Sequence, residues 1–244
     1  VIGNHNRPVQ TIVEKSFDDP SSFFNPLIIY GSTGLGKTTL LKSIATMYSK
    51  RGFSVFYCSS SQFIDDFAAA KGGIGELLMH VYKEVDVLLF DDLQPLSKKK
   101  KTQKRFSDIL EYLIEHGRRV IVTSECLPVH MKLEEYLIKQ LDTGVPISVE
   151  APDVETKVNL LKSMTANTSH SFSEDVLRKI AERVESNIRD LEGAVKFVSV
   201  QMELEEDSDV NSALEKWEHQ RKGEIKQRKQ EATPEVLLSM PVPG

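Results

Sequence analysis

The run Gly31–Thr39, which reads Gly-Ser-Thr-Gly-Leu-Gly-Lys-Thr-Thr, constrains this chain more than any other stretch. Its spacing, G-x-x-x-x-G-K-[ST], is typical of loops that hold nucleotide phosphates, in which the lysine reaches the outer phosphates and the threonine hydroxyl binds Mg²⁺. Glycines let backbone N–H groups turn towards a phosphate chain, and the N-terminus of a following helix adds positive charge. The spacing therefore predicts a site for ATP (or ADP) and Mg²⁺ formed by Gly31, Ser32, Thr33, Gly34, Leu35, Gly36, Lys37, Thr38 and Thr39, with Thr38 as a metal ligand.

The residues on either side of this loop support the same interpretation. Pro26–Tyr30 is a short apolar run that predicts a buried strand. Lys37–Lys50 carries apolar residues at helical spacing. Strand, glycine loop and helix follow one another in the order that a phosphate loop requires, so a glycine-rich turn without a ligand is the less favoured alternative.

Beyond the loop, strand-like and helical segments alternate as far as residue 149. Strands are predicted at 53–58, 85–90, 119–124 and 147–149, with helices between them. This alternation predicts an α/β fold, a P-loop NTPase with a parallel sheet flanked by helices. After Pro152 the periodicity is helical only. We therefore predict a nucleotide-binding domain at 1–151, a small all-helical lid domain at 152–201, and a charged linker or helix at 202–244.

Composition narrows the class of protein. The net charge is −5, so no global basic field indicates nucleic acid, and any such contact needs a local patch. The two cysteines are too few for a disulfide framework and favour a reducing compartment, the cytoplasm. There is no apolar run of about 18 residues and no signal peptide, which predicts no membrane span. The chain starts at Val1 without an initiator Met, so we expect a fragment of a longer protein.

Polar residues follow two of the predicted strands. Asp91 and Asp92 come after the apolar run 85–90, where Asp91 could hold Mg²⁺ directly or through water and Asp92 could polarise the attacking water. Ser124 and Glu125 follow the next strand, where a polar group can sense the γ-phosphate. For both pairs, an ordinary turn with solvated side chains is the alternative.

Four stretches together resemble one family. They are 25–38 with the phosphate loop, 88–94 with the paired aspartates, 122–125, and Ser-Asn-Ile-Arg-Asp-Leu-Glu-Gly at 186–193. In this combination and order they are similar to the DnaA family, the bacterial chromosomal replication initiators of the AAA+ ATPase class. The resemblance runs from Val1 to about Val200. It implies an AAA+ fold with a helical lid, ATP-switched assembly on origin DNA, and slow hydrolysis.

The resemblance also implies roles for individual residues. Asp91 falls at the Mg²⁺ position, Asp92 and Glu125 fall at the hydrolysis and first-sensor positions, and Arg189 falls at the second sensor arginine. The family usually has Ser-Asp where this chain has Ser124-Glu125. Ile2, Gly3 and Asn6 fall in the segment that borders the adenine.

Partners follow from the same resemblance. Residues 62–84 align with a helix pair that grips single-stranded DNA, and Lys99 and Lys101 lie in a basic run, Lys98–Arg105, that suits a phosphate backbone. A solvated loop and helix start explains that run equally well. Phe63 and Phe67 are at helical spacing and favour core positions over base stacking. Other implied partners are duplex origin DNA through a further domain, another copy of this chain or another DnaA, and the replicative helicase.

One departure from the family bears on activity. Gln140 stands where the family has an arginine that completes the ATP site of a neighbouring subunit. An arginine supplied in trans can raise the rate ~10³-fold or more, and glutamine cannot replace it. We therefore predict ATP binding with weak hydrolysis and weakened assembly. A short regulatory paralogue resembling Hda is the main alternative function, and a helicase-loader-type ATPase is a third class that fits the 186–193 stretch poorly.

Overall fold

The computed structural model describes residues 5–19, 23–70, 73–166, 172–184, 187–204 and 209–231. Contacts divide the chain into two units, one ending at Asp153 and the other starting at Val154. The predictions for Ile2, Gly3 and Ser186 lie outside the described residues. Within the described residues, no helix is both long enough and apolar enough to cross a membrane.

The first unit is a parallel sheet with helices on both faces. Its helices are α1 (Arg7–Asp18), α2 (Lys37–Ser49), α3 (Ser60–Ala69), α4 (Ile74–Lys83), α5 (Lys100–Glu115) and α6 (Glu135–Leu141). Its strands are β1 (Leu27–Tyr30), β2 (Val55–Ser59), β3 (Val87–Asp91), β4 (Arg119–Ser124) and β5 (Val145–Ser148). The strands lie in the order β2-β3-β4-β1-β5, and every pairing is parallel. The predicted α/β class with a helix-flanked parallel sheet is confirmed.

Both faces of the sheet are buried, which explains why its central strands are continuous apolar runs. Every residue of β3 and β4 is buried, as expected for a parallel sheet covered on two sides. One apolar cluster includes Ile28, Leu88, Phe90, Ile109 and Leu110, and the other includes Leu27, Ile29, Leu41, Ile44 and Leu89. Phe63 and Phe67 belong to the first cluster, so the preference for core positions over base stacking is confirmed.

The basic run at 98–105 is more helical than the sequence indicated. Residues 94–98 form a short 3₁₀ helix, and α5 starts at Lys100, so Lys101 lies in the first helical turn and not in a loop. The buried Gln103 explains this early start. Its side-chain amide donates to Leu96 O at 2.8 Å, in the segment before α5, and accepts from Glu134 N at 2.7 Å, directly before α6. These two hydrogen bonds connect the first turn of α5 to both segments.

A buried arginine holds α1 against the sheet. Arg119, at the start of β4, is 7% exposed, and its Nη2 donates to Ser16 O at 2.9 Å. Its guanidinium lies over the rings of Phe53 at 4.8 Å and Tyr48 at 5.2 Å. A desolvated cation over aromatic rings is stabilising only while those contacts stay in place.

We expect Arg119→Ala to lower the free energy of unfolding by about 2–4 kcal/mol, because it removes the ring contacts and leaves a cavity. Urea unfolding with an unchanged m-value measures this loss. Arg118→Ala is the matched control, because Arg118 is half-exposed and its ion pair with Asp86 is expected to contribute less than about 1 kcal/mol. Equal losses in the two variants would contradict a special role for Arg119.

The second unit is helical. It contains α7 (Val154–Thr165), α8 (Glu174–Arg183), α9 (Ile188–Leu204) and α10 (Val210–Glu231) around one apolar cluster. Ser173 starts α8, because its hydroxyl accepts a hydrogen bond from Val176 N at 3.4 Å. The segment expected to be a spacer contributes to this core: Ala213 and Leu214 of α10 are fully buried, and Trp217 packs beside them. The many charged residues of α10 hide this short apolar set in the sequence.

Candidate nucleotide site

Local backbone geometry explains the glycines of the loop between β1 and α2. Gly34 and Gly36 have φ angles of 84° and 82°, a region that other residues rarely adopt. Gly31 N donates to Ser124 O at 3.2 Å, which joins the start of the loop to the end of β4. A Cβ at Gly31 would collide with the carbonyl oxygen of Val149. The loop therefore lies at the carboxyl ends of β1 and β4, and α2 begins directly after it.

The lysine of the loop folds back over it. Lys37 Nζ donates to Gly31 O at 2.6 Å and to Ser32 O at 2.9 Å. Burial lowers the pKa of the Lys37 ammonium, and the negative charges of Glu125, Asp92 and Asp91 oppose that shift. The half-buried ammonium thus bonds backbone carbonyls of its own loop, in a position to exchange them for phosphate oxygens.

Asp91 is the most enclosed acid of the site. Asp91 is buried, with 6% of its surface exposed. Its Oδ2 accepts from Thr38 Oγ1 and from Tyr57 OH, both at 2.8 Å, and its Oδ1 accepts from Thr123 Oγ1 at 2.6 Å. Sequence reasoning identified Thr38 and Asp91 but missed Tyr57 and Thr123. Period-2 alternation assigns each of these residues to one face of its strand, but only the register between strands brings them to Asp91.

Asp92 turns the chain away from β3. It is the one non-glycine residue with positive φ, 64°, among the residues described. Its backbone N donates to Thr123 Oγ1 at 2.8 Å, and its carbonyl accepts from the Ser60 hydroxyl. Left-handed backbone costs free energy for a residue with a Cβ, although Asp tolerates it better than most. The two hydrogen bonds hold this conformation and leave the carboxylate partly exposed at the edge of the sheet.

Partial burial keeps the Asp92 carboxyl easier to protonate than an ordinary aspartate. Loss of hydration raises the pKa of Asp92, and the backbone N–H of Gln94 opposes the shift. Among neighbouring charges, Glu125 and Asp91 raise the pKa of Asp92 further, whereas Lys37 lowers it. A carboxylate with a raised pKa is a better proton acceptor near neutral pH than an ordinary aspartate.

The turn after β4 reaches the loop through Glu125. Thr33 Oγ1 donates to Glu125 Oε1, which joins that turn to the phosphate loop. The Ser124 hydroxyl, by contrast, donates to Cys126 O at 2.7 Å and is buried. Of the two residues predicted for the first sensor, Glu125 is the one whose side chain contacts the loop.

The oxygen atoms beside the loop are of the kind that Mg²⁺ prefers. The hydroxyl of Thr38 and the carboxylate of Asp91 are adjacent, and both are hard oxygen ligands. In the described part of the chain, no group of three or more His, Cys, Asp and Glu side chains could hold a metal ion. Mg²⁺ commonly uses one or two protein oxygens together with substrate phosphates and water, so these residues fit Mg²⁺ bound with a nucleotide.

The other predicted residues lie on separate elements. Asn6 precedes α1, and Arg189 is exposed in the first turn of α9 in the second unit. Lys99 and Lys101 are exposed at the start of α5. Gln140 on α6 is half-buried, and its Oε1 accepts from Ser107 Oγ at 2.6 Å.

Comparison with known proteins places this arrangement in a family. The family model described as the Bacterial DnaA ATPase domain matches residues 1–148. The chain belongs to the DnaA ATPase family. The chromosomal replication initiator protein DnaA of Thermoanaerobacter sp. (strain X514) is 33% identical over 199 residues, which is 80% of this chain and 45% of that protein. The chain thus spans about half the length of the curated DnaA proteins it matches.

Solved structures of DnaA proteins share the fold. The structure of domain III of the Thermotoga maritima DnaA has a TM-score of 0.75 and 29% identity, and the match covers 88% of this chain and 91% of that one. A replication initiator DnaA bound to AMPPCP and single-stranded DNA has a TM-score of 0.71 and 29% identity, with 82% of this chain and 62% of that one covered. The DnaA-type AAA+ fold predicted from the sequence is confirmed.

Proposed function

We propose that this chain is the ATP-binding region of a DnaA-type initiator of bacterial chromosome replication, in which nucleotide binding switches assembly on origin DNA. The observation that carries the proposal is the contact of the Thr38 hydroxyl with the Asp91 carboxylate beside the loop that holds Lys37. The matched DnaA proteins are named as chromosomal replication initiators, and one was solved with AMPPCP and single-stranded DNA.

The residues of the site divide the work between them. The loop amides and Lys37 bind the phosphates, because backbone N–H groups and an ammonium complement their negative charge. Thr38 and Asp91 would hold Mg²⁺, which would supply positive charge to the phosphates when bound. Asp92, whose pKa is raised, accepts a proton from the attacking water. Glu125 accepts a hydrogen bond from Thr33 and so connects the end of β4 to the phosphate loop. Nucleotide roles for Asn6, Arg189, Ile2 and Gly3 remain predictions.

A regulatory paralogue that acts through protein contacts is the second candidate function, and Gln140 favours it. The Gln140 amide is uncharged and bonded to Ser107 of its own chain, so it has no positive charge to offer the ATP site of a neighbour. Sedimentation of the purified protein with ATP and origin single strands separates the two functions. ATP-dependent assembly on DNA supports the initiator, whereas ATP binding without assembly supports the paralogue. Contact with the replicative helicase belongs to the initiator proposal.

The basic run at the start of α5 contains both paired and unpaired cations. Lys100 is paired with Glu134 at 2.9 Å and Lys104 with Asp108 at 2.8 Å. Neither Lys99 nor Lys101 has an ion-pair partner within the described ranges, and both are exposed. A lysine without an ion-pair partner in its own chain breaks no existing ion pair when it binds a phosphate. These two lysines are therefore the proposed contacts to single-stranded DNA.

We expect Lys101→Ala to weaken binding of single-stranded DNA about three- to tenfold and to reduce the salt slope of the affinity by about 0.7, the value for one lost phosphate contact. Fluorescence anisotropy of a labelled oligonucleotide at several salt concentrations measures both quantities. Lys104→Ala is the matched control and is expected to have a smaller effect, because Asp108 already pairs with Lys104. If wild type and Lys101→Ala had the same salt slope, Lys101 would not contact a DNA phosphate.

A further inference from the structure

Tyr57 reaches the acid of the metal site from a strand that carries none of the nucleotide motifs. Its hydroxyl donates to Asp91 Oδ2 at 2.8 Å, the same oxygen that accepts from Thr38. We propose that Tyr57 is a positioning residue that holds the Asp91 carboxylate in the orientation in which it binds the Mg²⁺ of the nucleotide. This inference rests on the proposed function, because it requires the Mg²⁺–nucleotide site.

The register of the sheet places Tyr57 for this contact. Tyr57 on β2 pairs with Leu89 on β3, and Asp91 lies two residues further along β3. Residues two apart in a strand point to the same face, so the side chains of Tyr57 and Asp91 share one face of the sheet. The separation along the strand, roughly 6.6 Å for two residues, is one that a long side chain leaning along its strand spans. A shorter polar side chain at position 57 would not reach the carboxylate.

The donors around Asp91 keep its charge available. The three side chains that donate to Asp91 among the described residues, Thr38, Tyr57 and Thr123, are all neutral hydroxyls. A buried carboxylate needs such donors, since an unsatisfied one is costly to bury. Hydroxyl donors satisfy its oxygens without cancelling its negative charge, as a paired lysine or arginine would. The carboxylate therefore stays both fixed in place and attractive to a divalent cation.

The Tyr57 ring packs on the side of the sheet that α2 covers. Tyr57 is half-buried and lies against the apolar cluster that contains Leu41, Ile44 and Leu89. This partial burial limits the movement of the ring while its hydroxyl donates to Asp91.

The test is a titration with MgCl₂ of the protein bound to a fluorescent ATP analogue. We expect Tyr57→Phe to raise the Mg²⁺ concentration at half-maximal effect about tenfold, as is usual when a hydrogen-bond partner of a metal ligand is removed. Affinity for the analogue in EDTA is expected to stay within about twofold of wild type, because Tyr57 acts only through Asp91. A merely structural tyrosine would lower both affinities together.

Tyr48→Phe is the matched control. It removes a buried hydroxyl that bonds to Ser16 at 3.1 Å on the same side of the sheet, and the Mg²⁺ midpoint is expected to stay at the wild-type value. A thermal melt without nucleotide shows that Tyr57→Phe is folded, and Tyr57→Leu, which also lacks the hydroxyl at this half-buried position on an edge strand, is expected to raise the Mg²⁺ midpoint at least as far. The role of Tyr57 is overturned if the Mg²⁺ concentration at half-maximal effect stays unchanged in Tyr57→Phe. It is also overturned if the affinity for the analogue in EDTA falls by as much as the affinity with Mg²⁺. Absence of ATP binding by the wild type overturns the proposed function instead.

Discussion

Replacing Lys37 with alanine is expected to weaken ATP binding about a hundredfold or more while the protein stays folded. A charged hydrogen bond to a phosphate is among the strongest polar contacts, and losing two of them costs about 3 kcal/mol or more, which is about a hundredfold in affinity. Among the described residues, Lys37 bonds two carbonyl oxygens, both of its own loop. Its ammonium is also partly desolvated, as its lowered pKa indicates, so its loss costs the fold little.

Isothermal titration calorimetry with ATP and Mg²⁺ measures the loss of affinity, and a thermal melt without nucleotide measures the stability of the variant. Lys50→Ala is the matched control, because Lys50 follows the last residue of α2, at the end of the helix away from the loop. Its affinity for ATP is expected to equal that of the wild type. If Lys37→Ala bound ATP as tightly as the wild type, the assignment of Gly31–Thr39 as a phosphate loop would fail.

Features set by neighbouring residues in the chain could be predicted from the sequence. The loop follows from its glycine spacing, and the strand predicted at Arg119–Ser124 coincides with β4 because a short segment rich in β-branched residues favours a strand over a helix. Asp91 likewise could be placed near the loop, since acids at the carboxyl ends of parallel strands meet where a phosphate loop begins.

Features set by pairing between distant strands could not be predicted. Tyr57 and Thr123 bond the same carboxylate from β2 and β4, and finding them requires the register of both strands against β3. The left-handed backbone of Asp92 depends on hydrogen bonds from Ser60 and to Thr123, which the sequence does not bring together. The early start of α5 has the same kind of cause. Gln103 bonds to Leu96, before α5, and to Glu134, directly before α6.

Asp92→Asn is expected to reduce ATP hydrolysis about a hundredfold or more while the affinity for ATP stays within about threefold of wild type. Asparagine keeps the size of the side chain and tolerates a left-handed backbone, so the φ of 64° at this position is retained. What is lost is a carboxylate able to accept a proton. Single-turnover hydrolysis measures the rate, and calorimetry with a non-hydrolysable analogue measures binding in the same preparation.

The pH profile separates this role from a general loss of charge. Because the pKa of Asp92 is raised, the carboxylate is protonated, and hydrolysis falls, at a higher pH than for an ordinary aspartate. The wild-type rate is therefore expected to fall as the pH is lowered through that raised pKa, and the residual rate of Asp92→Asn is expected to lack this acidic limb. An identical limb in both proteins would assign it to another group.

Glu125→Gln decides which of the two predicted catalytic acids takes the proton. Glu125 accepts a hydrogen bond from the Thr33 hydroxyl, a contact that an amide oxygen can also accept, so we expect a loss of hydrolysis below about tenfold and a retained acidic limb. If Glu125→Gln instead abolished both the rate and the limb while Asp92→Asn did not, Glu125 would be the base. In either outcome Gln140, bonded within its own chain, supplies no positive charge, so the absolute rate is expected to stay low.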